Sequence, residues 1–335
     1  MEYRTLGRSG LKVSPLCLGA MMFGGETNEA DALAIVARAR AQGVNFIDTA
    51  NVYNQGRSEE VVGRAIAKER DWWVVATKIA STSGVGPNGR GASRLHVFRA
   101  VEACLKRLAV ETIDILYLHR DDRDTPMEET VRAIADLMRA GKLRYFGLSN
   151  FRAWRVAEMC RFSDAAGIDR PVVSQPLYNA LNRMVEVEHL PACAHFGLGV
   201  FPYSPLARGV LTGKYVPGAA PAEETRAGRR DRRMMETEWR EASLVIAQEL
   251  AIRARARGMT PGQFALAWVL KNRLVTGAIA GPRTLAQWEE YVDALEVRLD
   301  AGDEALVDRL VPAGQPSNPG YVDPAYPMEG RLPRA

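Results

Sequence analysis

The feature that most constrains this chain is a repeating pattern of alternation. Short strand-like apolar runs begin near Leu16, Phe46, Trp73, Ile113, Leu143, Val172, Gly199 and Thr276, and amphipathic helical stretches fill the intervals. Across the first seven the spacing is roughly 30 residues, which a strand with its crossover helix requires. Eight such units without a composition break or linker favour a closed (β/α)8 TIM barrel over an open doubly wound sheet. A length of 335 residues could hold two average domains, but barrels of this kind routinely use it as one. One domain over residues 1–335 is expected. Residues 1–13 would form an N-terminal β-hairpin turning at Gly7-Arg8-Ser9-Gly10, and residues 312–335 a Pro- and Gly-rich tail folded back over a barrel end.

Local signals agree with this plan. Thr125-Pro126-Met127-Glu128 reads as a capping box with proline at the first helical position. Ser93 reads as the cap of a helix whose apolar stripe is Leu95, Phe98, Val101, Leu105 and Leu108. Two insertions break the regularity, Ala80 to Ala92 after the third run and Ala207 to about Trp239 after the seventh. The second carries Arg226, Arg229, Arg230, Arg232 and Arg233, either a solvated loop or a flap across a pyrophosphate.

Composition narrows the function. Charged residues make up 25% of the chain and the net charge of +4 is scattered, which speaks against a nucleic-acid or membrane-surface partner. Cys17, Cys104, Cys160 and Cys193 form no CxxC pair and have no metal-ligand spacing, so buried thiols in a reducing cytoplasm are expected. The N-terminus lacks the apolar core of a signal peptide, and the longest uncharged stretch, Leu190 to Ala207, is broken by prolines and glycines. Gly84-Val85-Gly86-Pro87-Asn88-Gly89 matches GxGxxG but starts too far past its strand and contains proline. Gly209 to Tyr215 is one residue short of a phosphate loop.

In a barrel of this type, chemistry sits where the strands end. The residues just past the runs are Gly19-Ala20-Met21, Asp48, Lys78, His119, Ser149-Asn150, Gln175, Tyr203-Ser204 and Gly281-Pro282-Arg283, with Tyr53 five residues beyond Asp48. A phenol with a pKa near ~10 is a poor acid at neutral pH, but an ammonium against its oxygen favours the phenolate. Asp48 would keep Lys78 charged and pointed, and His119 could orient a bound carbonyl. Each group alone has a plainer reading: a rim salt bridge for Asp48 with Lys78, a satisfied strand-end histidine, a packing tyrosine. Their arrival together at successive strand ends favours proton delivery to an alkoxide formed as a carbonyl is reduced.

Protein side chains supply no hydride, so a nicotinamide or flavin is needed. Tyr203 offers a flat face for a nicotinamide, and Gln175, Ser149 and Asn150 suit its carboxamide. Thr284-Leu285-Ala286-Gln287 reads as a capping box at a helix start, whose amides and dipole attract phosphate. Arg283 beside it suits a 2′-phosphate and favours NADPH over NADH.

Taken in order, Gly43 to Ala50 with Tyr53, Ala76-Thr77-Lys78, Asp114 to His119, Gly147 to Asn150, Gln175, Tyr203-Ser204-Pro205-Leu206, Leu211 to Tyr215 and Gly281 to Glu290 resemble the aldo-keto reductase family. The resemblance runs from about Tyr3 to Leu310. It implies a catalytic tetrad of Asp48, Tyr53, Lys78 and His119, with Tyr53 the proton donor, and a nicotinamide cofactor bound without a Rossmann fold. It also implies cofactor positions at Gly19, Ala20, Met21, Asp48, Ser149, Asn150, Gln175, Tyr203, Ser204, Pro205, Leu206, Ala207, Arg208, Lys214, Arg226, Gly281, Arg283, Gln287 and Glu290. The branch it is most similar to is the bacterial reductases related to potassium-channel β subunits, which share Thr125 to Thr130 and the long seventh loop. Tyr291 stands where many members have Asn, and Arg208 where the channel subunits have a small residue. Those subunits also lack a histidine at the place of His119.

The expected activity is NADPH-dependent reduction of aldehydes or reactive ketones, with a small-molecule carbonyl as the partner and the oligomeric state open. Two rivals are a redox-sensing regulatory subunit that holds NADPH with little turnover, and a barrel lyase using Lys78 as a Schiff-base amine. Met21, Met22, Phe23, Val52, Ile79 and Arg120 are candidates for the substrate pocket.

Overall fold

The structure, a computed structural model, describes residues 1–327; the last part of the expected tail, residues 328–335, lies outside the described residues. The chain forms two compact units. The first comprises Met1–Pro176, Glu188–Tyr203 and Asn272–Val292, and the second Leu177–Val187, Ser204–Lys271 and the chain from Asp293 onward.

The first unit is the barrel. A two-stranded antiparallel hairpin, β1 (Arg4–Thr5) and β2 (Lys12–Val13), precedes eight strands: β3 (Leu16–Gly19), β4 (Phe46–Asp48), β5 (Val74–Ile79), β6 (Ile113–Leu118), β7 (Leu143–Ser149), β8 (Val173–Gln175), β9 (Gly199–Val200) and β10 (Ala278–Ala280). The order β10-β3-β4-β5-β6-β7-β8-β9 is parallel throughout. Its two ends meet through backbone bonds, Thr276 N–H to Val200 O at 2.9 Å and Ile279 N–H to Pro202 O at 3.0 Å, so the (β/α)8 barrel expected from the spacing closes. Helices α1 (Glu29–Ala41), α2 (Arg57–Ile66), α3 (Arg94–Leu108), α4 (Met127–Arg139), α5 (Ala153–Ala166) and α6 (His189–Phe196) follow strands in turn, and a later helix (Leu285–Asp293) follows β10.

Two local expectations are corrected. Thr125 does not cap α4: its hydroxyl donates to Asp122 instead (2.7 Å), and Pro126 takes the capping position without a side-chain bond. Ser93 does cap α3, but the buried face runs through Val97, Ala100, Val101, Cys104, Leu105 and Leu108 while Leu95 is exposed. The contiguous i, i+3, i+4, i+7 set won over the stripe drawn through the bulkiest residues.

Strand side chains alternate between faces. One parity places Cys17, Phe46, Val74, Ala76, Ile115, Tyr117, Val173, Phe201 and Ile279 in a single buried core cluster, with the Phe46 and Phe201 rings edge to face at 5.0 Å. The same parity, carried two residues on, gives Asp48 after Phe46, Lys78 after Ala76, His119 after Tyr117 and Gln175 after Val173. Hydrophobic inward positions thus pass into polar ones at the carboxyl ends of the strands.

The second unit holds a 3-10 turn at Ala207–Thr212 and helices α7 (Arg232–Thr237), α8 (Glu241–Ala256), α9 (Pro261–Lys271) and α11 (Ala301–Leu310); the Leu285–Asp293 helix of the barrel is α10. The described part of the tail packs within this unit: Ser317 N–H donates to Leu181 O (2.8 Å), Ser243 and Ser317 share a hydroxyl bond, and Arg233 pairs with Asp323 (2.6 Å). In the run expected as a solvated loop or a flap, Arg232 and Arg233 instead form the start of α7 and both pair with Glu236. All four cysteines are free and buried, and no helix of the described residues is long and apolar enough to cross a membrane.

Gly147 of β7 makes room for the Tyr117 ring on β6: a Cβ there would lie 2.7 Å from both that ring and Val173 Cγ1. Gly147→Ala should therefore cost about 1–3 kcal/mol through overpacking. A lower urea midpoint with unchanged slope checks it; an unchanged midpoint counts against a tightly packed barrel interior.

Candidate active site

Lys78 ends the inward row of β5 and is fully buried. An ammonium has three N–H donors, and Lys78 directs them at the Asp48 carboxylate, at Thr49 O (2.8 Å) and at Tyr53 Oη (3.1 Å). Burial pulls the Lys78 pKa down, but the Asp48 carboxylate and then the Tyr53 oxygen outweigh it, so the net shift is upward and Lys78 stays a cation. The Asp48 pKa is raised by burial, against the pull of Lys78 and of Gln175, whose Nε2–H donates to Asp48 Oδ2 (3.1 Å).

Tyr53 reaches this group through a strained turn. Asn54 (φ 48°) and Gln55 (φ 60°) are left-handed, followed by Gly56 (φ 91°). The Asn54 amide pins the turn by donating to Met21 O (3.0 Å) and Phe23 O (2.8 Å) in the loop after β3. Upstream, Asn51 N–H donates to Lys78 O (3.1 Å), so both sides of the turn are tied to strand ends. Such conformations persist where the surroundings over-determine them.

One brace lay outside the expected site residues. Glu59 of α2 is fully buried; it accepts from Thr77 Oγ1, next to Lys78, and from Arg107 Nε of α3 (2.6 Å). It couples the helix that follows Tyr53 to the strand that carries Lys78. The signal was available: an acidic residue on the buried face of a helix whose neighbours are Val61 and Val62. The Thr49 carbonyl had no comparable signal, since a backbone acceptor is invisible in side-chain pattern.

The His119 ring stands edge to face with the Tyr53 ring, centroids 5.8 Å apart. Burial, and then the Lys78 and Arg120 charges, lower its pKa to about 3, so it is neutral at physiological pH. Its Nδ1 is buried with no hydrogen-bond partner among the described residues. An unpaired buried N–H is the costlier alternative, which assigns the ring hydrogen to Nε2.

Around this centre, Asn150 (φ 60°) donates to His119 O (3.0 Å) and Ser149 Oγ (3.0 Å) and accepts from Tyr203 Oη (2.8 Å). Ser149 Oγ donates to Gln175 O (2.9 Å). The groups expected at a nicotinamide are thus brought together by bonds among themselves. Gly19 and Ala20 are buried, and Ala20 N–H is on Asp48 O (2.8 Å); Met21 is exposed. Of the pocket candidates, Phe23 and Ile79 are fully buried in the protein interior and Arg120 is exposed. At α10, Thr284 Oγ1 accepts from Gln287 N–H (3.3 Å), but Gln287 Oε1 accepts from Arg283 N–H (2.8 Å), so the capping box is shifted by one residue on its return bond. The Arg283 guanidinium approaches Glu26 at 3.4 Å, Gly281 is exposed and Glu290 is partly buried.

In the second unit, Ser204 (φ 54°), Ala207 (φ 47°), Arg208 (φ 52°) and Gly209 (φ 95°) are all left-handed, while Pro205 and Leu206 are buried. Ala207 N–H and Gly209 N–H close this turn on Ser204 O (2.9 Å) and Leu206 O (2.8 Å), so the group it presents outward is the side chain of Arg208. The Lys214 ammonium lies 3.2 Å from where a Cβ on Gly209 would be, and Arg226 is partly buried in the following loop. Among the described residues no group of His, Cys, Asp and Glu could hold a metal ion.

Residues 15–312 match the aldo/keto reductase family. The chain is 40% identical over 310 residues to a probable voltage-gated potassium channel subunit beta of Arabidopsis thaliana, covering 89% of this chain and 92% of that one. It is 36% identical to the uncharacterized oxidoreductase YrpG of Bacillus subtilis (93% and 96% covered). It is 34% identical to an L-glyceraldehyde 3-phosphate reductase of Escherichia coli (94% of each). With the family match spanning most of its length, this chain belongs to the aldo/keto reductases and is an NAD(P)H-dependent oxidoreductase acting on carbonyls.

Proposed function

We propose that this chain, as one domain over residues 1–335, uses NADPH to reduce aldehydes or reactive ketones to alcohols, with Tyr53 as the proton donor. The observation that carries the reading is the complete commitment of the Lys78 ammonium to Asp48, Thr49 O and Tyr53 Oη. Because Tyr53 accepts from Lys78, its own O–H donates in another direction, toward a carbonyl oxygen. The neutral His119 offers Nε2–H to the same oxygen and fixes its orientation. As the alkoxide takes the Tyr53 proton, the phenolate left behind faces a cation that cannot turn away. When bound, the nicotinamide supplies the hydride. A Schiff-base role for Lys78 is disfavoured, since that chemistry needs a neutral amine with a lone pair to spare.

Nucleotide-holding roles follow by unit. In the barrel, Asn150, Ser149, Gln175 and Tyr203 serve the nicotinamide end, and Arg283, Gln287 and Glu290 the adenosine end, with the Arg283 guanidinium taking a 2′-phosphate. In the second unit, the cationic side chains of Arg208, carried on the left-handed turn at Ser204–Gly209, and of Lys214 beside Gly209 suit a pyrophosphate. Gly19, Ala20, Met21 and Gly281 contribute backbone at strand ends, and Arg226 a cation from the insertion. The phosphosugar named for one relative is a rational first member of an aldehyde panel.

Tyr53→Phe should lower kcat by about 10²–10⁴-fold while leaving the NADPH Kd within about twofold. A variant that turns over at the wild-type rate would move the proton donor elsewhere. Negligible turnover by the wild-type protein across reactive aldehydes would favour the redox-sensing subunit instead. Arg283→Ala should weaken NADPH by about tenfold or more and NADH little, because a charge-assisted bond to the extra phosphate is lost. Equal losses for both nucleotides would remove Arg283 from discrimination. Since the pKa of His119 is lowered to about 3, it is unprotonated throughout the neutral range, and kcat at saturating NADPH should show no acid limb from this residue between about pH 5 and about pH 8. A limb lost in His119→Asn would contradict a neutral imidazole.

A further inference from the structure

Glu238 follows the last residue of α7 and is used by none of the chemistry above. It is only 5% exposed, and its Oε1 has no hydrogen-bond partner among the described residues. Four charged side chains of the second unit act on it: Arg208 from the left-handed turn, Arg233 of α7, Arg240 at the start of α8, and Asp323 from the C-terminal segment. Tyr321 lies in the same group. Arg233 is bound to Asp323 (2.6 Å) and Glu236 (2.8 Å). Arg240 stacks its guanidinium 4.0 Å from the Tyr321 ring centre and donates to Glu236 O (2.7 Å). Arg208 donates from Nε to Thr237 Oγ1 (3.2 Å), the residue before Glu238, and is the cation with the largest effect on its carboxyl.

We propose that Glu238 is a positioning residue for Arg208, and that gain or loss of its proton sets how strongly the Ser204–Gly209 turn holds a dinucleotide phosphate. This rests on the reading of that turn as a phosphate site. Burial pushes the Glu238 carboxyl up to about 7, with Arg208 pulling it down and Asp323 pushing it up. Protonated, Glu238 leaves the Arg208 charge uncompensated for an arriving phosphate. Ionised, its negative charge offsets part of the Arg208 field and repels an approaching phosphate. Binding therefore draws a proton onto Glu238, and affinity falls as pH rises through neutrality. By reciprocity, bound nucleotide keeps Glu238 neutral.

The test uses the full chain and NADPH. Calorimetric titration at about pH 7.5, above the ionisation of the 2′-phosphate near ~6, is run in two buffers of different ionisation heat. Net proton uptake is expected for wild type and none for Glu238→Gln; no uptake by wild type overturns the proposal without needing any variant to fold. A shift of about one pKa unit on binding predicts that the wild-type Kd rises about fourfold between about pH 7 and about pH 8.5. Glu238→Gln should bind as tightly as wild type does at the lower pH, with a flat profile. A variant with the wild-type slope, or one that folds but binds weakly at every pH, rejects the proton link. Arg208→Ala should bind NADPH about tenfold more weakly and lose the slope. If Arg208→Ala binds normally, the phosphate reading of the turn fails; if it binds weakly while Glu238→Gln keeps the slope, only the role of Glu238 fails.

Discussion

A lysine with no exposed surface must satisfy three N–H groups and offset the loss of hydration, which costs several kcal/mol for a buried ion. In this barrel the carboxylate of Asp48, the carbonyl of Thr49 and the oxygen of Tyr53 take those three protons. Removing the acid would strand the charge; removing the phenol would leave a donor unpaired. The arrangement is therefore first a stability requirement. The interactions that keep the ammonium charged also hold it against the Tyr53 oxygen.

The barrel makes that arrangement possible by register. Inward positions are apolar through the core cluster and turn polar one step later on several neighbouring strands. Parallel pairing sets Asp48 opposite Ala76, with Lys78 two residues further along the same face of β5, so the long lysine side chain meets the carboxylate without a loop between them. Outside the barrel, buried Glu59 clamps α2 to β5 and α3. The strained Tyr53 turn is held by Asn54 against the loop after β3. Precision at the site thus comes from ordinary packing and hydrogen bonding one layer away.

Much of this was readable from residue order. Strand starts at Leu16, Phe46, Ile113, Leu143 and Gly199 coincide with the observed ones, because short β-branched and aromatic runs at crossover spacing admit few alternatives. The polar residues that end those runs stood out because a strand interior excludes them. Helix details were less legible. Thr125 found a better acceptor in Asp122, and the α3 stripe shifted because burial follows the contiguous face rather than the largest side chains. Pattern alone marks Gln175, Ser149 and Asn150 only as candidate nucleotide ligands, while each also bonds to another strand end, which only neighbours in space reveal.

By itself the sequence determined the repeat, the closure into a parallel barrel and the identity of the groups at its rim, since these follow from periodicity and from which side chains a strand can bury. The tertiary structure alone decided the third acceptor for Lys78, the neutrality of His119 and the buried carboxyl of Glu238 among arginines. Each depends on desolvation and on charges brought close by folding, and neither burial nor distance between remote residues is written in local pattern.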